Sequence, residues 1–172
     1  MNLFLPKIYK KNIYEIDYEK LKKKGITCLI FDLDNTLGLI SNKRCPLKTR
    51  RLIKKLQEDF LVLIVSNNTR RRIKPYLKDL NVGGVSNSFK PSTMGLRKIA
   101  KKYNLKKKEM VMIGDQVVTD ILSGNRFKIM TILVDPLGEK DLKITGLNRK
   151  IEAKIIKKYN KRGLFERGKY YG

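Results

Sequence analysis

Short apolar runs alternate with amphipathic segments along most of this chain. Strands that are buried on both faces of a parallel sheet read as continuous apolar runs rather than as alternating ones. The sequence predicts such strands at 26–31 (ITCLIF), 61–66 (LVLIVS), 110–114 (MVMIG) and 130–134 (MTILV). A shorter extended piece, third in chain order, is expected to begin at Val85.

The segments between these runs have apolar residues at helical spacing. They predict helices at 18–24, 46–60, 69–80, 91–104, 118–127 and 147–163. Asp17 is expected to cap the first helix and Gly25 to end it, whereas Pro91 is expected to open the fourth. The last helix carries an apolar row at a spacing of four, which predicts the face that packs on the sheet: Leu147, Ile151, Ile155 and Tyr159.

The alternation of strands and helices predicts an α/β fold, with a three-layer, doubly wound parallel sheet and helices on both faces. A length of 172 residues suits one domain, so residues 1–172 are expected to form a single unit. The longest apolar run, FLVLIV, is far shorter than the ~18 residues of a membrane-spanning helix. Because the N-terminus also lacks a secretory pattern, we expect a cytoplasmic protein, with membrane contact limited to its periphery.

The net charge of +24 changes this picture, because such a surface attracts nucleic acid, anionic lipid or phosphorylated substrates. A genome rich in A and T explains much of the lysine excess equally well. The chain has no histidine, which excludes histidine-dependent nucleophiles and histidine-bound zinc. Its two cysteines, Cys28 and Cys45, lack metal-binding spacing. General acid–base chemistry is therefore left to Asp, Glu, Lys or Tyr.

Two of the apolar runs end in pairs of acids. Asp32 and Asp34 follow the first predicted strand, and Asp115 and Asp120 follow the fourth. Doubly wound sheets bind ligands at the carboxyl ends of their strands, and close carboxylates repel unless a cation compensates them. Magnesium is the natural partner of a small set of carboxylates. Surface acids or helix caps are the alternative interpretation of each pair taken alone.

Polar residues also follow the second and third predicted strands. Ser66 and Asn67 precede a helix N-terminus, where a hydroxyl and main-chain amides can bind phosphate oxygens, although an ordinary helix cap fits the same residues. Lys90 stands between the short third strand and the next helix. From there its ammonium is expected to reach the same edge of the sheet.

Taken in order, DLDNT at 32–36, Ser66, Lys90 and GDQVVTD at 114–120 resemble the four motifs of the haloacid dehalogenase (HAD) superfamily. The finer pattern is similar to that of subfamily IIIA, the YqeG-like phosphatases, in the stretches SNN, GDQVVTDILSGNR, TILVDPL and LNRKIEAKI. That group is related to the phosphatase of phosphatidylglycerophosphate. The resemblance covers nearly the whole chain, and it implies a magnesium-dependent phosphatase with a Rossmann-like core.

The resemblance also implies a role for each motif residue. Asp32 would attack phosphorus and form an aspartyl-phosphate, and Asp34 would protonate the leaving oxygen and then activate water. Ser66 and Lys90 would hold the phosphoryl oxygens, with Asn67 beside them. The expected magnesium ligands are the Asp32 carboxylate, the Asp34 main-chain carbonyl, Asp115 and, as a further ligand or orienting group, Asp120.

Too few residues separate the motifs to include the cap domain that many HAD enzymes carry. An open site admits a bulky substrate, such as a lipid headgroup at a membrane or a polymer end. Arg126 is expected to bind a second phosphate of that substrate. The run Arg70–Arg72 offers the same chemistry, or forms a solvated helix face.

Three functions stay open on the sequence alone. We favour a phosphatase of an anionic lipid such as phosphatidylglycerophosphate. A phosphatase of nucleotides or nucleic-acid ends is the enzymatic alternative, although no aromatic-rich stacking surface supports it. A nucleic-acid-binding or ribosome-binding module with a vestigial site is the third, but such a module has no use for three carboxylates beside a basic surface.

Overall fold

In the computed structural model, which describes residues 2–138 and 143–172 apart from the side chains of 143–148, six strands form one fully parallel sheet. The strands are β1 (Ile8–Lys10), β2 (Cys28–Phe31), β3 (Leu61–Val65), β4 (Gly83–Val85), β5 (Met110–Gly114) and β6 (Met130–Val134). Their order across the sheet is β1-β6-β5-β2-β3-β4. Strands β2 to β6 overlap the five predicted strands, so the predicted parallel α/β sheet is confirmed.

Strand β1 has no counterpart in the sequence-based prediction. Its three residues are too few to show a pattern, and at the edge of the sheet they pair with β6. On its outer side, Tyr9 and Tyr171 exchange main-chain hydrogen bonds of 3.0 and 2.9 Å. The end of the chain therefore covers an edge that would otherwise expose unpaired main-chain groups.

Helices cover both faces of the sheet in the described chain. On one side lie α1 (Tyr18–Lys23), α2 (Leu47–Leu56) and α3 (Arg70–Leu80), and on the other lie α4 (Met94–Lys102), α5 (Leu122–Phe127) and α6 (Lys143–Asn160). The central strand β2 alternates between the two cores: Leu29 and Phe31 pack on the first side, and Cys28 and Ile30 on the second. All four side chains are fully buried, which confirms the three-layer architecture.

Two predicted helix starts have different outcomes. Asp17 caps α1 as expected, because its Oδ1 accepts a 2.8 Å hydrogen bond from the Lys20 main-chain N–H. The predicted start of the fourth helix at Pro91 is wrong, since α4 begins at Met94. The residues before α4 form a turn that contains Lys90, in which the Ser92 N–H donates to the Phe89 carbonyl over 2.8 Å.

The predicted apolar face of the last helix is partly wrong. Ile151 is exposed, whereas the neighbouring Glu152 is buried; the side chain of Leu147 lies outside the described residues. Tyr159 packs inward as predicted and Ile155 is half-buried, but Ile156 takes the place of Ile151 in the apolar contacts of α6 with a cluster around Tyr9 and Phe165. The register differs because Glu152 points inward to two arginines. Within the described residues, no helix combines the length and apolar character that crossing a bilayer requires.

The chain reverses direction across the sheet between β2 and β5. From β2 it continues to β3 and β4 on one side, and from β5 to β6 on the other. In doubly wound sheets a crevice forms at the carboxyl ends of the strands at this point. Between Asp32 and Lys90 the chain forms only α2, β3, α3, β4 and their loops, so the predicted absence of an inserted cap in this stretch is confirmed.

Candidate active site

Three carboxylates meet at the crevice between β2 and β5. Asp32 follows β2, Asp115 follows β5, and Asp120 lies in a single turn of π-helix, Val117–Ile121, before α5. One oxygen from each carboxylate lies within 4.8 Å of the other two. Carboxylate oxygens at this spacing can share one hard cation, and the surrounding protein offers no softer histidine ligand.

Gly114 allows Asp120 to turn back toward the strand end. A Cβ at position 114 would lie 2.3 Å from the Asp120 Cγ, so any larger residue would displace the carboxylate. The Gln116 N–H also donates to Asp120 Oδ2 over 3.1 Å. The wide π-turn and the glycine together place a second acid of the GDQVVTD stretch beside the first, and π-turns of this kind are frequent at functional sites.

Lys90 lies at the centre of this cluster, as the sequence predicts. Its Nζ donates to Asp32 Oδ1 at 2.5 Å, to Asp120 Oδ1 at 2.7 Å and to the Val65 carbonyl at 2.9 Å. Burial disfavours its charged form, but Asp120 and Asp32 outweigh that effect and raise the Lys90 pKa. Lys90 is therefore a fixed cation in the site.

Lys90 does not neutralise all three acids. Burial raises the pKa of Asp32 to about 7, with Lys90 opposing the shift and Asp120 adding to it. Burial also raises the Asp115 pKa well above its ordinary value, although Arg149 opposes this. Carboxyl groups that are buried together in this way ionise readily only when further positive charge enters the site.

Asp34 points to different partners from Asp32. The Arg72 guanidinium donates to its Oδ1 at 2.5 Å from Nη2 and 3.2 Å from Nε, and the Asn68 amide donates to its Oδ2 at 2.6 Å. Arg72 also donates to the Asn42 carbonyl over 2.5 Å, which anchors the loop after β2. The sequence left two roles open for Arg70–Arg72, substrate binding or a solvated helix face. In the structure Arg72 forms an ion pair with Asp34.

Ser66 and Asn67 shape the loop beside Lys90. The Ser66 Oγ accepts a 3.2 Å hydrogen bond from the Asn68 N–H, which matches a turn-forming serine. The Asn67 side chain holds Lys90 at both main-chain groups: its Oδ1 accepts from the Lys90 N–H at 2.6 Å, and its Nδ2 donates to the Lys90 carbonyl at 3.0 Å. Ser88 donates to the same Oδ1. The Asn67 side chain thus contacts the Lys90 loop rather than presenting its amide to a ligand.

Arg126 lies in the last turn of α5, within the predicted helix 118–127. Its Nη1 donates to the Pro91 carbonyl over 3.4 Å, and the side chain is exposed. The preceding Asn125 is structural, because its Nδ2 donates to the carbonyls of Leu3 and Leu5.

Two arginines reach the site from the C-terminal part of the chain, and the sequence did not indicate them. Arg149 of α6 forms an ion pair with Asp115 through Nη2 and donates to its main-chain carbonyl over 3.2 Å. The buried Glu152 links Arg149, at 3.6 Å, to Arg167. Arg167 continues to Asp135 at 3.1 Å. Apart from the Arg149–Glu152 pair, which is three residues apart on α6, these contacts join residues far apart in sequence, so no local pattern indicates them.

Among the described residues, the ion pairs at and behind the site involve more carboxylates than cations. Four cationic side chains face six carboxylates, an excess of two negative charges within this part of the chain: Lys90, Arg72, Arg149 and Arg167 against Asp32, Asp34, Asp115, Asp120, Asp135 and Glu152. One divalent cation would neutralise that excess at the three-carboxylate cluster. The residues therefore fit a bound divalent metal ion.

Two family models match the chain. Residues 29–89 match the haloacid dehalogenase-like hydrolase model, and residues 89–141 match a HAD hydrolase-like model. Together they span residues 29–141, which include all four motifs from DLDNT to GDQVVTD. The matched residues form the acidic crevice between β2 and β5 and the loop that carries Lys90. The class of protein that they indicate is a HAD-like hydrolase.

Two curated proteins and one solved structure define the relationship further. The probable phosphatase YqeG of Bacillus subtilis (strain 168) is 39% identical over 164 residues, 93% of this chain and 94% of that protein. Phosphatidylglycerophosphate phosphatase 1 of Arabidopsis thaliana is 26% identical, and the chain spans 49% of its length. The cobalt-bound deoxy-D-mannose-octulosonate 8-phosphate phosphatase of Haemophilus influenzae is 17% identical, with a TM-score of 0.51 over 84% of this chain and 95% of that one. The chain belongs to the HAD-like hydrolases as a phosphatase similar to YqeG.

Proposed function

We propose that this phosphatase is a magnesium-dependent phosphomonoesterase that acts through an aspartyl-phosphate, with phosphatidylglycerophosphate or a similar anionic lipid phosphate as substrate. The observation that carries the proposal is the meeting of Asp32, Asp115 and Asp120 within 4.8 Å of one another around Lys90. A nucleophilic carboxylate, a fixed cation and a hard-cation site are what phosphoryl transfer to an aspartate requires.

Magnesium would be held by the carboxylates of Asp32 and Asp115 and by the Asp34 main-chain carbonyl, with Asp120 as a further ligand or orienting group. When bound, the ion supplies positive charge to the phosphoryl oxygens. Asp120 already accepts hydrogen bonds from Lys90 and from the Gln116 main chain, which limits its movement. We therefore infer that Asp120 orients the ligand shell more than it completes it.

The chemistry proceeds in two displacements. In the first, an Asp32 carboxylate oxygen forms a bond to phosphorus while the ester oxygen leaves and takes a proton from Asp34. In the second, Asp34 removes a proton from water, the water oxygen bonds to phosphorus, and the bond to Asp32 breaks. Inorganic phosphate is released and Asp32 is regenerated.

Four neighbouring side chains support these steps. Ser66 and Lys90 bind the phosphoryl oxygens and offset the charge that develops on them. Asn67 acts as a positioning residue, since its amide fixes the main chain of Lys90. Arg72 orients the Asp34 carboxyl next to the crevice.

Three features support a lipid-linked substrate. No cap domain is inserted between Asp32 and Lys90, the chain carries a net charge of +24, and two related phosphatases are named for phosphatidylglycerophosphate. A protein with these features would act at the periphery of an anionic membrane. Arg126 would contact a second phosphate of the substrate from beside Pro91. The same basic surface would also attract nucleic acid, so nucleic-acid ends belong in any test.

A substrate panel tests the proposal directly. Purified protein is assayed with magnesium on an aryl phosphate, phosphatidylglycerophosphate in mixed micelles, nucleotides and 5′-phosphorylated DNA, with Asp32→Asn as the matched blank. Faster release of phosphate from the lipid than from DNA is expected. A preference for DNA ends would reject the lipid assignment and leave the aspartyl-phosphate mechanism intact.

A further inference from the structure

Exposed apolar side chains surround the crevice on loops that also carry site residues. Among the nine large apolar residues exposed in the described chain, at least five come from segments that follow a strand at its carboxyl end. Leu47 begins α2, and we call the other four the apolar rim: Leu39, Phe89, Met94 and Leu137. They come from the segments after β2, β4 and β6, so they lie on both sides of the crevice between β2 and β5. Scattered exposed apolar residues need no explanation, but a group around an active site does.

The rim is tied directly to the motifs. The Leu137 N–H donates to the Asn35 carbonyl over 2.9 Å, and Leu39 lies against Gly138, where a Cβ would be 2.6 Å from its Cδ2. Phe89 immediately precedes Lys90 in the chain. The loop after β2 therefore carries Leu39 together with the acids of the first motif, and the loop after β4 carries Phe89 together with Lys90.

Phe89 is the most unusual member of the rim. It is 67% exposed and has a φ of 53°, in the left-handed region. The other non-glycine residues with positive φ in the described chain are four asparagines and one lysine: Asn35, Asn81, Asn87, Asn104 and Lys128. A bulky residue in this conformation costs about 1 kcal/mol or more. The Phe89 ring is exposed to solvent, so its burial within the protein does not offset this conformational cost.

Cationic side chains accompany the rim, and we call them the basic collar: Arg70, Arg71, Arg97 and Arg126. They are exposed, and none of them forms an ion pair with the described residues, in contrast to Arg72, Arg149 and Arg167. Arg70 and Arg71 begin α3, Arg97 lies in the first turn of α4, and Arg126 reaches the carbonyl of Pro91. The collar thus lies beside the rim near the carboxyl edge.

We propose that the apolar rim inserts into the interfacial region of an anionic bilayer while the basic collar contacts its headgroups. Apolar side chains next to unpaired cations are what interfacial membrane binding needs, since burial and headgroup attraction add. A nucleic acid would use the cations but leave three aliphatic side chains without a role. The inference rests on the proposed function in one respect: this orientation turns the opening above Asp32 toward a phosphate borne by a lipid.

A single-tryptophan reporter tests this orientation, because the chain contains no tryptophan. Phe89→Trp is mixed with vesicles of phosphatidylglycerol and phosphatidylcholine in equal parts, and with phosphatidylcholine alone. Its emission should shift to the blue, and lipids brominated on their acyl chains should quench it, with the anionic vesicles only. Leu164→Trp is the matched control, since Leu164 is exposed to 44%, close to the 41% of Leu137, but lies after α6 and outside the rim. It should show neither effect.

The outcomes separate the possible occupants. Quenching at position 164 but not at 89 would show that the protein binds membranes by another face, and would overturn the proposal. A blue shift of Phe89→Trp that follows protein concentration without vesicles would assign the rim to a second copy of the chain, and would also overturn it. Failure of the protein to bind either kind of vesicle would also overturn the proposal.

Turnover adds an independent readout. Phe89→Asn keeps a residue that tolerates the left-handed conformation but removes the ring. The ratio of the rates on phosphatidylglycerophosphate in anionic vesicles and on a soluble aryl phosphate should fall about tenfold or more, the effect of losing one buried aromatic side chain. An unchanged ratio would contradict the proposed insertion of Phe89 into the membrane. Hydrolysis of the aryl phosphate by wild type would still support the proposed phosphatase activity, so the two proposals can fail separately.

Discussion

Arg149 forms an ion pair with Asp115, so that α6 contacts the acidic cluster at a different carboxylate from the two that Lys90 binds. The guanidinium takes one carboxylate oxygen and the main-chain carbonyl of Asp115, while Thr36 donates to the other oxygen over 3.3 Å. The Glu152 carboxylate lies 3.6 Å from the Arg149 guanidinium. These contacts fix the rotamer of an expected metal ligand before any ion binds, which is the usual role of groups behind the ligands of a metal site.

The first prediction concerns this contact. Arg149→Gln should weaken magnesium binding about 10- to 100-fold, because it frees Asp115 to rotate and removes the group that orients it. Binding is measured by calorimetry and by the electron paramagnetic resonance of manganese as a probe. Arg149→Lys should restore part of the affinity, and Arg162→Gln, an exposed arginine after α6, should have none of the effect. Unchanged affinity in Arg149→Gln would assign Arg149 to folding alone.

The second prediction concerns the nucleophile. Asp32→Asn keeps the shape of the side chain but removes the attacking charge, so turnover of an aryl phosphate should fall at least about 10³-fold. Circular dichroism should confirm an intact fold. Because Lys90 also pairs with Asp120, its ammonium keeps a partner in the variant. Substantial hydrolysis by the pure, folded variant would mean that another group attacks phosphorus.

The third prediction concerns the metal. A chelator should abolish activity, magnesium should restore it, and calcium should support it poorly because its larger, looser coordination displaces the reacting groups. Magnesium should also raise the melting temperature of wild type, since an ion bound only by the folded state stabilises it. Asp115→Asn should lose this thermal shift. Full activity in metal-free protein would remove the metal role assigned to Asp115.

Much of the site follows from short sequence stretches, because strand ends are local. Asp32 and Asp115 each follow a run of apolar residues, and neighbouring parallel strands bring such ends together whatever the rest of the chain does. Lys90 could be placed at the same edge by its position after a short strand. The resemblance to the HAD motifs then predicted a chemical role for each of these residues.

The remainder depends on contacts that no local pattern encodes. Arg149 and Glu152 lie on a helix whose apolar spacing predicted a different inward face. The guanidinium groups of Arg167 and, at a longer distance, Arg149 make a buried glutamate tolerable there. Strand β1 forms because β6 and the tail around Tyr171 flank it. The sequence placed Asn67 beside the phosphate-binding residues, but it could not indicate that the Asn67 side chain binds the main chain of Lys90.

The last prediction concerns Asp79 of α3, which anchors the long loop after β2. Its carboxylate accepts hydrogen bonds from the Arg44 Nε at 2.8 Å and from the Cys45 N–H at 3.1 Å. The Arg44 contact, assisted by the Cys45 main chain and partly opposed by burial, lowers the Asp79 pKa below its ordinary value. Asp79→Asn should therefore reduce the free energy of unfolding by about 1–2 kcal/mol at neutral pH, as expected for a charge-assisted hydrogen bond.

The sign of the pH dependence follows from the lowered pKa. The unfolded chain takes up the Asp79 proton first, below about pH 4, so wild type loses this stabilisation as the pH falls through the folded-state pKa. Asp79→Asn lacks this stabilisation at every pH. The urea midpoints of unfolding of wild type and Asp79→Asn should therefore converge in acid. Asp59→Asn, which breaks an exposed pair with Lys22, should leave the midpoint nearly unchanged at both pH values. If the difference between wild type and Asp79→Asn stayed constant from neutral to acid pH, the charge of Asp79 would not be what holds the loop.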